Sequence, residues 1–91
     1  MTLALLALSI LLLCLDWSQT RYIAKHLDRF HETNVILGRA PTLSAVNAYF
    51  AACIAATAAG AWVFGAWVSV PVALLELVVT VRNYLIGVRM A

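Results

Sequence analysis

Apolar residues dominate three stretches of this chain, and most polar residues are gathered between the first two. Residues 1–15 and 40–75 contain no charged side chain, whereas seven of the charged residues lie between positions 16 and 39. A membrane-crossing helix needs about 20 mostly apolar residues. The second uncharged stretch exceeds one span, and Gly65, Ser69 and Pro71 indicate a turn within it. The pattern predicts membrane-spanning helices at residues 2–22, 43–64 and 69–88.

Composition points to the same environment. The chain has 91 residues, of which 65% are hydrophobic and 11% are charged, whereas soluble domains are roughly 45–50% apolar and about 25% charged. A chain this short has too little interior to hide so much apolar surface from water. We therefore expect one all-α integral membrane domain that covers residues 1–91, with the lipid bilayer as its first partner.

The first span also has the length of a signal peptide. It lacks a basic segment before its apolar residues, and no small-x-small cleavage site precedes Asp16. We expect residues 1–15 to be retained as the start of the first helix. Ile23, Leu27 and Phe30 continue the helical spacing beyond it. This pattern predicts that residues 17–31 form an amphipathic extension of the first helix, lying at the membrane interface.

The basic residues predict the orientation. They occupy the 18–42 connection and the C-terminal end, and they are Arg21, Lys25, Arg29, Arg39, Arg82 and Arg89. Short cytoplasmic loops carry the excess of Lys and Arg, so the chain is predicted to run N-out/C-in in a bacterial inner (cytoplasmic) membrane. The net charge of +2 suits an anionic inner leaflet. The sequence has no run of basic residues of the kind that would indicate a nucleic-acid partner.

The middle span predicts a helix-packing face. Small residues recur there every four positions, at Ala48, Ala52, Ala56 and Gly60. In lipid, small residues at this spacing allow two helix backbones to approach closely. The face fits either packing against the other two helices of the same chain or contact with neighbouring copies. The pattern leaves both alternatives open.

A second pattern predicts a polar cluster near the inner leaflet. Glu76, Thr80 and Asn83 share one face of the third span, and Asp16 and Thr20 share one face of the first. The full candidate cluster is Asp16, Thr20, Glu32, Asn34, Glu76, Thr80 and Asn83. An ionisable side chain at depth is costly unless it is paired, hydrated or protonated. The cluster fits either a hydrogen-bonded knot that fixes helix packing or a proton-linked, ion-binding or catalytic site.

The sequence assigns no catalytic residue, metal or cofactor. The serines lack the context of a nucleophile elbow, and no phosphate loop or dinucleotide motif occurs. His26 and His31 lie near Asp28 and Glu32, but a spacing of five does not place both histidines on one helix face. We interpret them as hydrated side chains at the interface.

Several motifs resemble one group of proteins. They are Asp16-Trp-Ser-Gln-Thr20, Glu32-Thr-Asn34, Val46-Asn-Ala-Tyr-Phe50 and the run from Glu76 through Arg82-Asn83-Tyr84 to Gly87. The chain resembles small multi-pass membrane proteins of phages, prophages and bacteria that carry D-x-x-x-T in the first helix and E-x-N-P after it. Position 35 is Val where that pattern has Pro. The resemblance marks Asp16, Thr20, Glu32 and Asn34, and it implies no mechanism.

The sequence is compatible with three functions. The first is a self-associating, holin-like protein that forms membrane lesions, an expectation based on size, three spans, orientation and the Ala/Gly face. The second is an accessory subunit that binds a larger membrane complex. The third is a membrane-embedded ion-binding or catalytic site that uses Asp16, Glu32 and Glu76. The expected partner is thus a second copy of the chain or a larger complex.

Overall fold

A computed structural model describes residues 2–27 and 41–89. These residues form three α-helices and no strand: α1 (Thr2–Lys25), α2 (Leu43–Phe64) and α3 (Ala66–Leu85). At about 1.5 Å per residue the helices are roughly 36, 33 and 30 Å long, which matches a hydrocarbon core of about 30 Å. All three are long and apolar enough to cross a membrane. The predicted all-α fold with three membrane-spanning helices is confirmed.

The ends of α2 follow from local chemistry. Thr42 precedes the helix, and its side-chain oxygen accepts a hydrogen bond of 3.1 Å from the backbone N–H of Ala45. Such a cap satisfies one of the N–H groups that a helix start leaves unpaired. Gly65 ends the helix with φ 62°, a backbone conformation that side chains disfavour. The helix therefore coincides with the predicted span at 43–64.

The other two helices differ from their predicted bounds. Gly65 alone reverses the chain, so α3 begins at Ala66 rather than at 69 and ends at Leu85 rather than at 88. Pro71 consequently lies inside the helix instead of in its first turn. Helix α1 extends three residues past the predicted 22 and includes residues 17–25 of the predicted interfacial extension. Residues 28–31 of that extension lie outside the described residues.

Helix α1 packs against both other helices, more extensively than α2 and α3 pack against each other. Its contacts with α2 centre on Leu13, Val46 and Phe50, which form a buried core. Trp17 stacks on Phe50 with ring centroids 6.2 Å apart. These contacts place the second half of α1 beside the first half of α2, so the two helices are antiparallel.

Helices α1 and α3 are parallel. The Ser9 hydroxyl donates to the Ser69 carbonyl at 2.8 Å, and the Gln19 side-chain amide donates to the Thr80 carbonyl at 3.1 Å. The residue numbers on the two helices thus rise together, and each α1 residue lies level with the α3 residue about 60 positions later. This register decides which polar side chains of the two helices meet.

Candidate functional site

The contact between α1 and α3 is lined by polar side chains, and we call it the α1–α3 seam. On α1, Ser9 and Gln19 hydrogen-bond to α3, and the buried residues Asp16, Thr20 and Ile23 lie on the same side of the helix. Its α3 side consists of Ser69, Ala73, Glu76, Thr80 and Asn83, all buried except Glu76, which is half-buried. Positions spaced alternately by three and four residues stay on one side of a helix. That spacing puts the five α3 residues on one side of α3, where Ser69, Thr80 and Asn83 bond to α1.

Gln19 is the centre of the seam's hydrogen bonding. Its side-chain N–H donates a hydrogen bond to the backbone carbonyl of Thr80. Its side-chain carbonyl accepts a hydrogen bond of 3.2 Å from the side-chain amide of Asn83. Gln19 and Asn83 are 6% and 5% exposed. Buried amides without partners are expensive to desolvate. Each of these two amides therefore depends on the other helix for a partner.

The two carboxylates of the seam lie at the same level. Asp16 is nine residues before the end of α1, and Glu76 is nine residues before the end of α3. Both therefore lie about 14 Å from the ends of their helices. Asp16 is 7% exposed, and its carboxylate accepts a hydrogen bond of 3.1 Å from the Thr20 hydroxyl. The Oε2 atom of Glu76 is buried.

Five of the seven residues of the predicted polar cluster lie on the seam sides of their helices, namely Asp16, Thr20, Glu76, Thr80 and Asn83. Thr80 and Asn83 are joined to α1 through Gln19, and Asp16 and Thr20 bond to each other. Glu32 and Asn34 lie outside the described residues. The Thr80 hydroxyl donates within its own helix, to the Glu76 carbonyl at 2.8 Å, rather than across to α1.

Sequence reasoning missed Gln19. It lies three residues after Asp16 and so shares a face with it, which was the available signal. The prediction chose the adjacent residue, Thr20, because it continues the helical spacing from Asp16 to Ile23. Both positions are buried, and Gln19 is the one whose side chain hydrogen-bonds to α3.

Asn47 is a second polar contact that the cluster prediction missed. Its side-chain oxygen accepts from the Trp17 indole N–H and from the Arg21 guanidinium, both at 2.9 Å. The two donors lie one turn apart on α1, and Asn47 lies in the second turn of α2. The contact joins the end of α1 to the start of α2.

The predicted helix-packing face is mostly unused within the chain. Ala48, Ala52 and Ala56 are exposed, and the buried residues of α2 are Val46, Phe50, Thr57 and Ala61. Gly60 is the exception, because a Cβ atom there would lie 3.3 Å from the Val68 side chain. The three alanines are thus not packed against the other two helices of the chain. Val46 and Phe50 are the α2 residues that pack against Leu13 of α1.

The exposed alanines form a continuous surface. Ala51, Ala55 and Ala59 are exposed as well and flank the first three. We call Ala48, Ala51, Ala52, Ala55, Ala56 and Ala59 the alanine surface. It extends over three turns of α2 and contains no side chain larger than a methyl group.

Aromatic side chains mark the opposite end of the bundle from Asn47. Trp62, Phe64 and Trp67 flank the Gly65 turn and are 91%, 64% and 87% exposed. Tryptophan is enriched where a membrane meets water, since its ring is apolar and its N–H is polar. This placement is compatible with the aromatic belt that the sequence predicts at the outer interface.

The fold and these surfaces define the class: a small membrane protein built from three helices. Within residues 2–27 and 41–89, no group of three His, Cys, Asp or Glu side chains is placed to hold a metal ion. Comparison with protein-family models, curated proteins and solved structures finds no match.

Proposed function

We propose that the protein is a self-associating, holin-like protein of the bacterial inner membrane, oriented N-out/C-in, whose copies contact one another through the alanine surface. The observation that carries this proposal is the exposure of Ala48, Ala52 and Ala56 on a helix that is long and apolar enough to cross a membrane. The D-x-x-x-T motif at Asp16 and Thr20 supports membership in the phage and bacterial group that the chain resembles.

Helices associate differently in lipid than in water. Lipid tails are as apolar as leucine, so helices associate through close packing and hydrogen bonds rather than through the hydrophobic effect. A flat, methyl-only surface permits the closest approach between helices. Inside this chain that approach is not used, which leaves the surface available to another copy.

Inducible expression in bacteria with a voltage-sensitive dye tests the proposal. Wild-type protein is expected to collapse the membrane potential abruptly, as a lesion-forming assembly does. Ala52→Ile is expected to delay or abolish the collapse, because a branched side chain on the alanine surface separates the copies. Ala52 is exposed, so the variant leaves the packing of the single chain intact.

Val78→Ile is the matched control. Val78 is 66% exposed, and it lies thirteen residues after the Gly65 turn, as Ala52 lies thirteen residues before it. The control is expected to depolarise cells as the wild type does. Cells that keep their potential and continue to grow would contradict the holin-like function. Gentle co-purification of another membrane protein would then favour an accessory subunit.

The seam favours a second candidate function, a membrane-embedded ion-binding or proton-linked site that uses Asp16 and Glu76. Two carboxylates at one level of adjacent helices repel each other when both are charged, and burial raises that cost. A shared proton or a cation offsets it. The alternative is a polar knot that only fixes how α1 and α3 pack.

Paired amide substitutions separate these two roles. Asp16→Asn and Glu76→Gln keep the shape of the side chains and remove the charges. If the seam only fixes packing, the variants preserve or raise stability and retain function, because neutral isosteres of buried charges are often tolerated. If it binds an ion or proton, they lose function in a folded protein. Far-UV circular dichroism in detergent reports whether the helices remain.

A further inference from the structure

The end of α1 carries two basic side chains on the face that is turned toward α2. Arg21 and Lys25 are four residues apart, so they are neighbours on one helix face, and Lys25 is the last residue of α1. The Arg21 guanidinium donates a hydrogen bond of 2.9 Å to the Asn47 side chain of α2. We call Arg21 and Lys25, together with Asn47, the basic corner.

The antiparallel register puts the start of α2 beside these two cations. Trp17 and Arg21 both donate to Asn47, so Asn47 lies level with the turn of α1 between them. Each further residue along α1 corresponds to one residue back along α2, and Lys25 is therefore about level with the Thr42 cap. The N-terminus of a helix carries a partial positive charge, and no acidic side chain occupies the first turn of α2. Helix α2 thus brings no negative charge to the basic corner.

The acceptor that holds Arg21 is neutral. The Arg21 side chain is half-buried, and the Asn47 oxygen to which it donates is shared with the Trp17 indole. A guanidinium has more N–H donors than one amide oxygen can accept, and it is always charged. Asn47 therefore fixes the position of the guanidinium without neutralising it.

Neither acidic side chain of the described residues lies at the basic corner. Within residues 2–27 and 41–89 these side chains are Asp16 and Glu76, each nine residues before the end of its helix and on the side of the α1–α3 seam. Asp16 is buried and accepts its hydrogen bond from Thr20. The formal charges of residues 28–40 sum to zero. The basic corner therefore presents two positive charges that a partner of opposite charge can neutralise.

We propose that the basic corner binds the phosphate group of an anionic phospholipid, with Arg21 as the principal contact and Lys25 as the second. The planar guanidinium fork matches phosphate oxygens geometrically, whereas the Lys ammonium acts as a compact point charge. The 24 residues of α1 extend about 36 Å, about 6 Å more than the hydrocarbon core. The last turn of α1 consequently lies at headgroup depth. The proposal holds whether or not the protein self-associates, because it uses no residue of the alanine surface.

Tryptophan quenching by brominated lipids tests this binding. Trp17 donates to the same Asn47 oxygen as Arg21, so its indole lies at the basic corner. A protein with Trp62→Phe and Trp67→Phe retains Trp17 as its sole tryptophan. It is reconstituted in mixed phosphatidylglycerol and phosphatidylcholine vesicles in which one of the two lipids is brominated. The ratio of the two quenching efficiencies gives the preference for the anionic lipid.

The measurement is made at physiological ionic strength, where exposed charges more than about 8 Å apart are largely screened. The expected preference for phosphatidylglycerol is about fivefold or more, the factor that one basic side chain contributes at an anionic surface. Arg21→Gln is expected to lower the preference to below about twofold. Arg21→Lys keeps the charge but loses the fork, and is expected to retain about half of the preference.

Arg89→Gln is the matched control. It removes one positive charge from the same end of the bundle, because α1 and α3 are parallel and Arg89 follows the end of α3. The Arg89 guanidinium donates to the carbonyls of Tyr84 and Val88, within its own segment. The control is expected to leave the preference at Trp17 almost unchanged.

Three results would overturn the proposal. The first is equal quenching of Trp17 by the two brominated lipids in the protein with native basic residues, a result that requires no substitution at Arg21 or Lys25. The second is an unchanged preference in Arg21→Gln. The third is an equal loss in Arg21→Gln and Arg89→Gln, which would assign the preference to the overall charge of this end. Inorganic phosphate added to phosphatidylcholine vesicles is expected to leave Trp17 emission unchanged, whereas a change would assign the basic corner to free phosphate instead of lipid.

Discussion

At the scale of single residues, the seam shows how one amide joins two helices. Gln19 donates to the Thr80 backbone and accepts from the Asn83 side chain. In lipid, hydrogen bonds between helices contribute about 0.6 kcal/mol on average and up to about 1.7 kcal/mol. A bond between two almost fully buried amides belongs in the upper part of that range, because no water competes for either group.

Asn83→Ala is therefore expected to lower the free energy of unfolding by about 1 kcal/mol. Gln19→Ala is expected to cost more, since it also removes the donor to Thr80. In a double-mutant cycle the two changes should be coupled by about 0.5–1.7 kcal/mol, measured by unfolding in detergent micelles. Additive effects would show that the two amides do not stabilise each other.

The sequence predicted some of these residues for a simple physical reason. Thr80 and Asn83 follow Glu76 at helical spacing, and polar side chains in an apolar span normally face protein. Gln19 shares a face with Asp16, but spacing along α1 does not show whether it or the adjacent Thr20 bonds to α3, and spacing along α2 does not show what Asn47 bonds to. Their partners were decided by the 60-residue register between α1 and α3 and by the packing of α2, neither of which a single helix reveals.

At the scale of elements, the α2–α3 hairpin depends on a close approach at Gly60. The Cβ position there lies 3.3 Å from the two γ-carbons of Val68, which is tighter than ordinary van der Waals contact. The hairpin turns at one residue, Gly65, so the two helices have little freedom to separate nearby. A larger side chain at position 60 must force them apart.

Gly60→Ile is expected to destabilise the protein by about 1–3 kcal/mol, as overpacking usually does. Ala59→Ile is the matched control: it adds a side chain to the adjacent residue, which is exposed, and is expected to change stability by less than about 0.5 kcal/mol. Thermal or denaturant unfolding in detergent measures both. Equal effects of the two substitutions would contradict this close contact.

The bounds of the helices show which local signals were sufficient. Thr42 and Gly65 are strong start and stop residues, and the prediction at 43–64 coincides with α2. Pro71 misled the prediction for α3, because it was placed in the first turn, where a missing N–H is harmless. The helix instead continues through it, since Gly65 completes the reversal of the chain and residues 66–70 already have helical structure.

At the scale of the whole molecule, polar groups are inside and small apolar groups are outside. The α1–α3 seam holds Asp16, Gln19 and Asn83, whereas the alanine surface of α2 is exposed. In a soluble protein such an arrangement would be reversed. In lipid it is favourable, because polar side chains find partners only within the protein. The alanine surface is then the part of the molecule best suited to contact another copy.

Cysteine cross-linking in native membranes tests this claim most directly. Cys14 and Cys53 are first replaced by Ser, and Ala52→Cys is compared with Val78→Cys, which lies at the same depth on α3. Association through the alanine surface predicts disulfide-linked dimers for position 52 under mild oxidation and monomers for position 78. Dimers at position 78 with monomers at position 52, or monomers at both, would contradict association through the alanine surface.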